Sequence, residues 1–348
     1  MEGVVISKDI RKELSAAIGR CSYDKLFMLT DETTNRECLP LIADMPELKN
    51  AYHITIGATD VHKTLETLSS VWTYMSKEGG TRHSLMLNLG GGMVTDLGGF
   101  AAGTFKRGIK FINIPTTLLS MVDASVGGKT GINFNGLKNE IGIFYSPDSV
   151  LIDTVFLKTL DDKNIRSGYA EMLKHGLISN QKHLDELLSF DLFDPDLDKL
   201  SEMVGRSVAV KENIVSSDPY EKGIRKALNL GHTTGHAFES FALTKNPVLH
   251  GYAVAWGMVC ELYLSFIKCG FPTDVMRECV YFIKENYGNL DITCDDYPAL
   301  FELMTHDKKN IGDEINFTLL SDVGDIKINQ TVSKEDIYEA LDFLREGM

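Results

Sequence analysis

Over residues 1–157 the chain alternates short apolar runs with stretches of helical spacing. "KLFMLTDE" reads as a strand and turn, "YHITIG" as a second strand, and "DVHKTLETLSSVWTYMSKEGG" as a helix that stops on a glycine pair. "HSLMLNLGGG" is a buried strand running into glycines, and "TDLGGFAAGTFKRG" is helical and rich in small residues. "IKFINIPTTLL" and "SVLIDTVFL" read as further strands. Strand and helix in turn imply a parallel sheet with helices on its faces. Over residues 158–348 the strand signal fades. "RSGYAEMLKHGLISNQKHLDELLSF", "LDKLSEMVGRSVAVKENIVSSD", "GHAFESFAL", "YAVAWGMVCELYLSFIKCG" and "SKEDIYEALDFLREG" are helical, and only "EINFTLLSDVGDIKINQ" suits a short hairpin. The pattern predicts two domains: an α/β, Rossmann-like nucleotide-binding domain over 1–157 and a mainly α-helical domain over 158–348.

Length and composition agree. A chain of 348 residues favours two domains, and 43% hydrophobic with 24% charged residues suits a globular core. The net charge of −14 argues against nucleic acid or an anionic membrane as partner, although a local basic pocket is compatible with it. "MEGVVISKDIRKEL" turns charged too early for a signal peptide. "AVAWGMVCELYLSFI" is too short for a bilayer span and carries Glu261, so it predicts a buried core helix. Six cysteines without a close CxxC pair suit reduced thiols and a cytoplasmic location.

Three segments carry candidate chemistry. Gly90, Gly91 and Gly92 lie between a strand and a helix, with Asp96 in the first turns. Backbone without side chains admits a pyrophosphate, and a helix N-terminus offers N–H groups. The stretch is not a G-x-G-x-x-G fingerprint, and a tight strand-to-helix turn that needs glycine for packing explains it equally. "TTLLSMVDASVGGKTGINFNGLKNEIG" brings Asp123, Lys129, Lys138 and Asn139 onto a glycine-broken, largely uncharged segment. Asp123 stands where a phosphate-loop signature requires its first glycine, which disfavours a P-loop NTPase. Two lysines and an amide still suit an anionic ligand. The third segment is "LNLGHTTGHAFESFALTKNPVLHG", which holds His232, His236 and His250, three of the nine histidines. His232 and His236 share a helix face, and Glu171 and Lys174 share another. Two or three histidines with a carboxylate make a catalytic zinc pattern. The residues alone leave open which histidines bind. Lys211, Arg225, Asn229 and Lys308 add a polar, mostly cationic set that suits a ligand with more than one negative charge.

In order along the chain, "GGGMVTDLGGFAAGTFKRG", "IPTTLLSMVDASVGGKTGIN", "LKNEIGIFYSP", "SGYAEMLKHGLI", "LNLGHTTGHAFE", "LHGYAVAWGM" and "DKKN" resemble the 3-dehydroquinate synthase family over nearly the whole chain. The resemblance implies a lyase that converts 3-deoxy-D-arabino-heptulosonate 7-phosphate to 3-dehydroquinate and phosphate, with NAD and Zn2+, or Co2+ in its place. It implies Glu171, His232 and His250 as metal ligands. For NAD it implies Asp60, Lys63, Gly91, Gly92, Met93, Asp96, Thr116, Thr117, Asp123, Lys138, Phe156 and Thr159, with Asp60 standing where the family usually has Glu. For substrate it implies Asp123, Lys129, Asn139, Lys174, Lys211, Arg225, Asn229, His236 and Lys308, and it gives Lys129, Lys174, Lys211 and His236 catalytic parts. Arg107 would reach the phosphate in a neighbouring subunit, which implies a homodimer.

Overall fold

The structure, a computed structural model, describes residues 3–243, 245–305 and 315–347, so Lys308 lies outside the described residues. The chain forms two compact units, residues 1–161 with 197–208, and residues 162–196 with 209–348. The sequence places a single boundary at 157/158. The difference arises in the Leu197–Ser217 helix, whose first part belongs to the N-terminal unit while the rest belongs to the C-terminal one.

The N-terminal unit is built on a six-stranded parallel sheet. Its spatial order is Val4–Ile6, Ser149–Ile152, Lys110–Pro115, Leu85–Gly90, Leu26–Asp31, Tyr52–Ile56. Leu26–Asp31, Leu85–Gly90 and Ser149–Ile152 are buried throughout, which is why they read as apolar runs rather than alternating patterns. The strand order reverses between Leu26–Asp31 and Leu85–Gly90, the topological switch point at which doubly wound sheets bind ligands outside the strand ends. The glycine helix, Gly92–Thr104, leaves the sheet at that point.

Two local readings are corrected. "SVLIDTVFL" is a strand only over Ser149–Ile152; Thr154–Thr159 is a 3-10 turn capped by the Asp153 side chain. The glycine-broken segment around Lys129, given no strands from the sequence, is an antiparallel hairpin, Lys129–Phe134 with Leu137–Phe144. Asn135 and Gly136, at φ 49° and 78°, make its tight turn, and an Asn-Gly pair is the strongest local signal for one.

In the C-terminal unit the His250–Cys269 helix is the core element. It packs against helices Asp162–Leu177, His232–Ala242, Thr273–Tyr287 and Lys334–Glu346, and against strand Phe317–Asp322. Enclosure on several sides explains its all-round hydrophobicity. By length and composition the helix could cross a membrane, yet it is mostly buried. "EINFTLLSDVGDIKINQ" does form a hairpin, Phe317–Asp322 with Asp325–Gln330.

Candidate metal centre and its surroundings

Three helices of the C-terminal unit bring together Glu171, His232 and His250. Glu171 lies on Asp162–Leu177, His232 opens His232–Ala242 and His250 opens His250–Cys269. Glycine permits the approach. A Cβ at Gly251 would stand 1.8 Å from the Ser167 carbonyl oxygen, so only glycine lets His250 sit this close to the Glu171 helix. The Gly251 N–H donates to Ser167 Oγ at 3.1 Å.

Glu171 Oε1 lies 3.4 Å from His232 Nε2 and 3.5 Å from His250 Nε2. Donors around a tetrahedral zinc with bonds of about 2.0–2.1 Å are about 3.3–3.4 Å apart, so the spacing fits a divalent cation. The chemistry of the donors agrees. Glu171 is fully buried, and its Oε1 accepts no hydrogen bond among the described residues. Burial brings His232 down to about 4, so its ring is neutral. Its Nδ1–H donates to the Leu230 carbonyl at 3.1 Å, which turns the Nε2 lone pair towards Glu171. A lone pair and a carboxylate oxygen facing each other in a buried site call for a cation between them.

His250 is held differently. Its Nδ1 lies 3.1 Å from Glu239 Oε2, a carboxylate–histidine arrangement that orients a ligand ring. Burial alone would lower its pKa, but Glu171 and Glu239 bring it up to about 10. Burial would raise the Glu171 carboxyl, but the charge of Lys174 holds it well below the usual carboxylate range. Lys174, itself buried, pairs with Glu171 Oε2. Glu239 was not among the residues the sequence singled out. The available signal was its place seven residues after His232, two turns along the same helix face.

His236 is exposed, its ring centroid 5.3 Å from that of His232 and 6.0 Å from that of His250. It flanks the metal candidates on the solvent side. Arg225 and Asn229 lie on the 3-10 turn Ile224–Asn229. Arg225 is buried and donates from Nη1 to the Pro219 carbonyl at 2.5 Å; Asn229 donates to Glu221 Oε1 at 2.9 Å. Lys211 is buried on the Leu197–Ser217 helix.

In the N-terminal unit the expected nucleotide residues gather at the strand ends. Gly91 caps the Gly92–Thr104 helix, and a Cβ there would stand 3.1 Å from Thr117. The Thr116 N–H donates to Gly90 O at 3.0 Å, and Asp123 lies in a π-helical turn, Ser120–Ala124, next to Gly92. Met93 packs against the core and Phe156 is buried, with Thr159 Oγ donating to its carbonyl at 2.7 Å. Lys63 is buried, 2.6 Å from Asp96 and hydrogen-bonded to Asn139; Asp60 lies 4.0 Å from Lys138 and accepts from Asn133 at 2.9 Å. Lys129 begins the hairpin, and Arg107 sits in an exposed turn where it and Lys106 take φ values of 72° and 53°.

A doubly wound unit followed by a helical unit is the fold of the sugar phosphate cyclases. Two solved examples match it over 99% of this chain and 96% of theirs. A 2-deoxy-scyllo-inosose synthase complexed with carbaglucose-6-phosphate, NAD+ and Co2+ is 25% identical with a TM-score of 0.86. A 2-epi-5-epi-valiolone synthase from Streptomyces hygroscopicus subsp. jinggangensis 5008 with NAD+ and Zn2+ bound is 25% identical with a TM-score of 0.85. Residues 53–167 match the family model for the 3-dehydroquinate synthase N-terminal region, and residues 168–310 match that for its C-terminal region. A 3-dehydroquinate synthase of Parabacteroides distasonis is 57% identical over 345 residues, 99% of this chain and 98% of the relative. One of Clostridium tetani is 37% identical over 335 residues, 92% of this chain and 86% of the relative. The chain belongs to the 3-dehydroquinate synthase family.

Proposed function

We propose that the protein is a 3-dehydroquinate synthase, a lyase that turns 3-deoxy-D-arabino-heptulosonate 7-phosphate into 3-dehydroquinate and phosphate. The reaction passes through transient oxidation, phosphate elimination, re-reduction and intramolecular aldol closure, so NAD is not consumed. Identity of 57% to a full-length relative of that name supports the activity. The observation that carries the reading for this chain is the position of Glu171 Oε1, facing both histidine Nε2 atoms at 3.4 and 3.5 Å.

Glu171, His232 and His250 would hold the divalent cation, Zn2+ or Co2+, and Gly91, Gly92, Met93, Asp96, Thr116, Thr117, Asp123, Lys63, Lys138, Asp60, Phe156 and Thr159 the NAD. When bound, the metal polarises a substrate hydroxyl and NAD takes and returns one hydride. The remaining work falls to the chain's own side chains. Lys174 keeps Glu171 ionised and fixes one carboxylate oxygen, so that the other faces the histidines. Arg225, buried and already oriented by Pro219, offers a planar fork to the substrate carboxylate, with Asn229 one turn further on. His236 stands on the open side of the cluster, where it can relay a proton from a hydroxyl to solvent. Lys211 supplies a buried cation for an anionic substrate group.

We read the enzyme as a cytoplasmic homodimer. All six cysteines are free thiols, and Arg107 is exposed on a positive-φ turn from which it can reach a neighbouring chain. The test is a simultaneous measurement of phosphate and NADH with substrate, NAD and Zn2+. Phosphate release without accumulating NADH is expected. NADH formed in step with substrate loss would make the protein a net dehydrogenase and end the reading.

A further inference from the structure

We infer that Glu261 is a positioning residue for the metal cluster: from the helix that starts at His250 it caps the helix that starts at His232, and so sets the offset between the two ligands. The inference rests on the metal reading above. A helix leaves its first N–H groups without intrahelical partners, and a side chain at the cap position usually accepts from them. Here that position is Gly231, at φ 79°, which has no side chain to offer. The acceptor comes from the neighbouring helix instead. Glu261 Oε2 accepts from the Gly231 N–H at 2.6 Å, and Oε1 accepts from Thr233 N–H at 3.0 Å and Thr234 N–H at 3.2 Å. His232 lies between two residues held in this way, so its ring follows the cap.

Geometry links this carboxylate to the other ligand. Glu261 follows His250 by eleven residues, three turns of one helix, so both project from the same face. The exchange is mutual, since Glu239 on the His232 helix reaches back to His250 Nδ1 at 3.1 Å. Between the two carboxylates the helix backbones touch. A Cβ at Gly257 would stand 2.0 Å from the Gly231 oxygen, and one at Gly231 2.6 Å from Met258. A backbone contact limits how near the helices come; directional bonds from three N–H groups limit how far one slides along the other. Glu261 is fully buried, a costly place for a carboxylate whose only task was helix propensity.

The test compares wild type, Glu261→Gln, Glu261→Asp and Glu171→Gln by Co2+ titration of the full chain. Visible absorption and chelator competition give the metal Kd and the ligand-field spectrum, and circular dichroism monitors the fold. Gln replaces one acceptor oxygen by an NH2 donor, which must face either the Gly231 N–H or those of Thr233 and Thr234, and Asp keeps the charge but falls short of them. The expected result is a Kd weakened by about 10- to 100-fold with an altered Co2+ spectrum, in protein whose circular dichroism is unchanged. If Glu261→Gln does not fold, Glu261→Asp is judged by the same two readings. A wild-type Kd and spectrum in the folded variant, with only a lower melting temperature, would reduce Glu261 to a stabilising cap and overturn the inference. Glu171→Gln separates the two levels. Co2+ bound there with wild-type affinity and spectrum would overturn the metal reading and the inference with it, whereas loss of Co2+ there beside an unchanged Glu261→Gln would overturn the inference alone.

Discussion

Glu239 Oε2 stands 3.1 Å from His250 Nδ1, and this contact turns the other imidazole nitrogen towards Glu171. It joins two helices by a carboxylate. Glu239→Gln keeps the volume and removes the charge. Bound Zn2+ measured against a competing chelator is expected to weaken by about 10- to 100-fold, the usual effect of losing a partner behind a ligand histidine. Affinity unchanged in this variant would show that His250 is oriented by its helix alone.

Glu171 and Lys174 stabilise each other as buried charges. Removing one partner of such a pair typically costs about 3–5 kcal/mol, because the other is left uncompensated. Glu171→Ala is therefore expected to lose metal and also to unfold at lower denaturant. The double variant Glu171→Ala/Lys174→Met should regain most of that stability without regaining metal. Equal stability of the single variant and wild type in urea titrations would contradict the pairing.

Gly251→Ala tests the close approach of the two helices that carry Glu171 and His250. The added methyl would meet the Ser167 carbonyl at 1.8 Å, so the helices must separate. A loss of about 1–3 kcal/mol or more is expected from the overpacking, together with weaker metal binding. Gly270→Ala is the control. Its φ of 75° strains an alanine, but nothing lies within 4 Å, and metal binding should be untouched.

Arg225→Lys keeps the charge and loses the fork. If Arg225 grips the substrate carboxylate in two parallel bonds, KM rises about tenfold or more, each bond to a charged group being worth about 1.5–3 kcal/mol. An unchanged KM would remove Arg225 from the substrate set.

The thiols should react in an order set by burial. Burial pushes Cys279 up to about 12 and Cys260 well above the ordinary thiol value, so at pH 8 neither supplies thiolate to a labelling reagent. Cys294 is exposed and should label first in the native protein, with Cys260 and Cys279 labelled only after denaturation. Peptide mapping that finds Cys279 labelled early would place it elsewhere than in the core.

Much of the fold is legible in the sequence. Apolar runs such as "LMLNLG" and the all-apolar "AVAWGMVCELYLSFI" reveal buried strands and a buried helix because burial leaves no polar face to encode. The class of chemistry also shows in the chain itself, since histidines, a carboxylate and several cations in specific motifs restrict what a site can bind. The hairpin at Asn135–Gly136 is equally legible, in the Asn-Gly pair itself. Other features belong to tertiary structure alone. Which histidines face Glu171, why Gly251 and Gly257 must be glycine, and what Glu239 and Glu261 do all depend on contacts between helices distant in sequence. Local patterning records how each residue meets its own helix or strand. It carries no term for the partner that another helix brings within 3.5 Å, and that is the distance at which a buried carboxylate becomes a cap, a ligand or an orienting group.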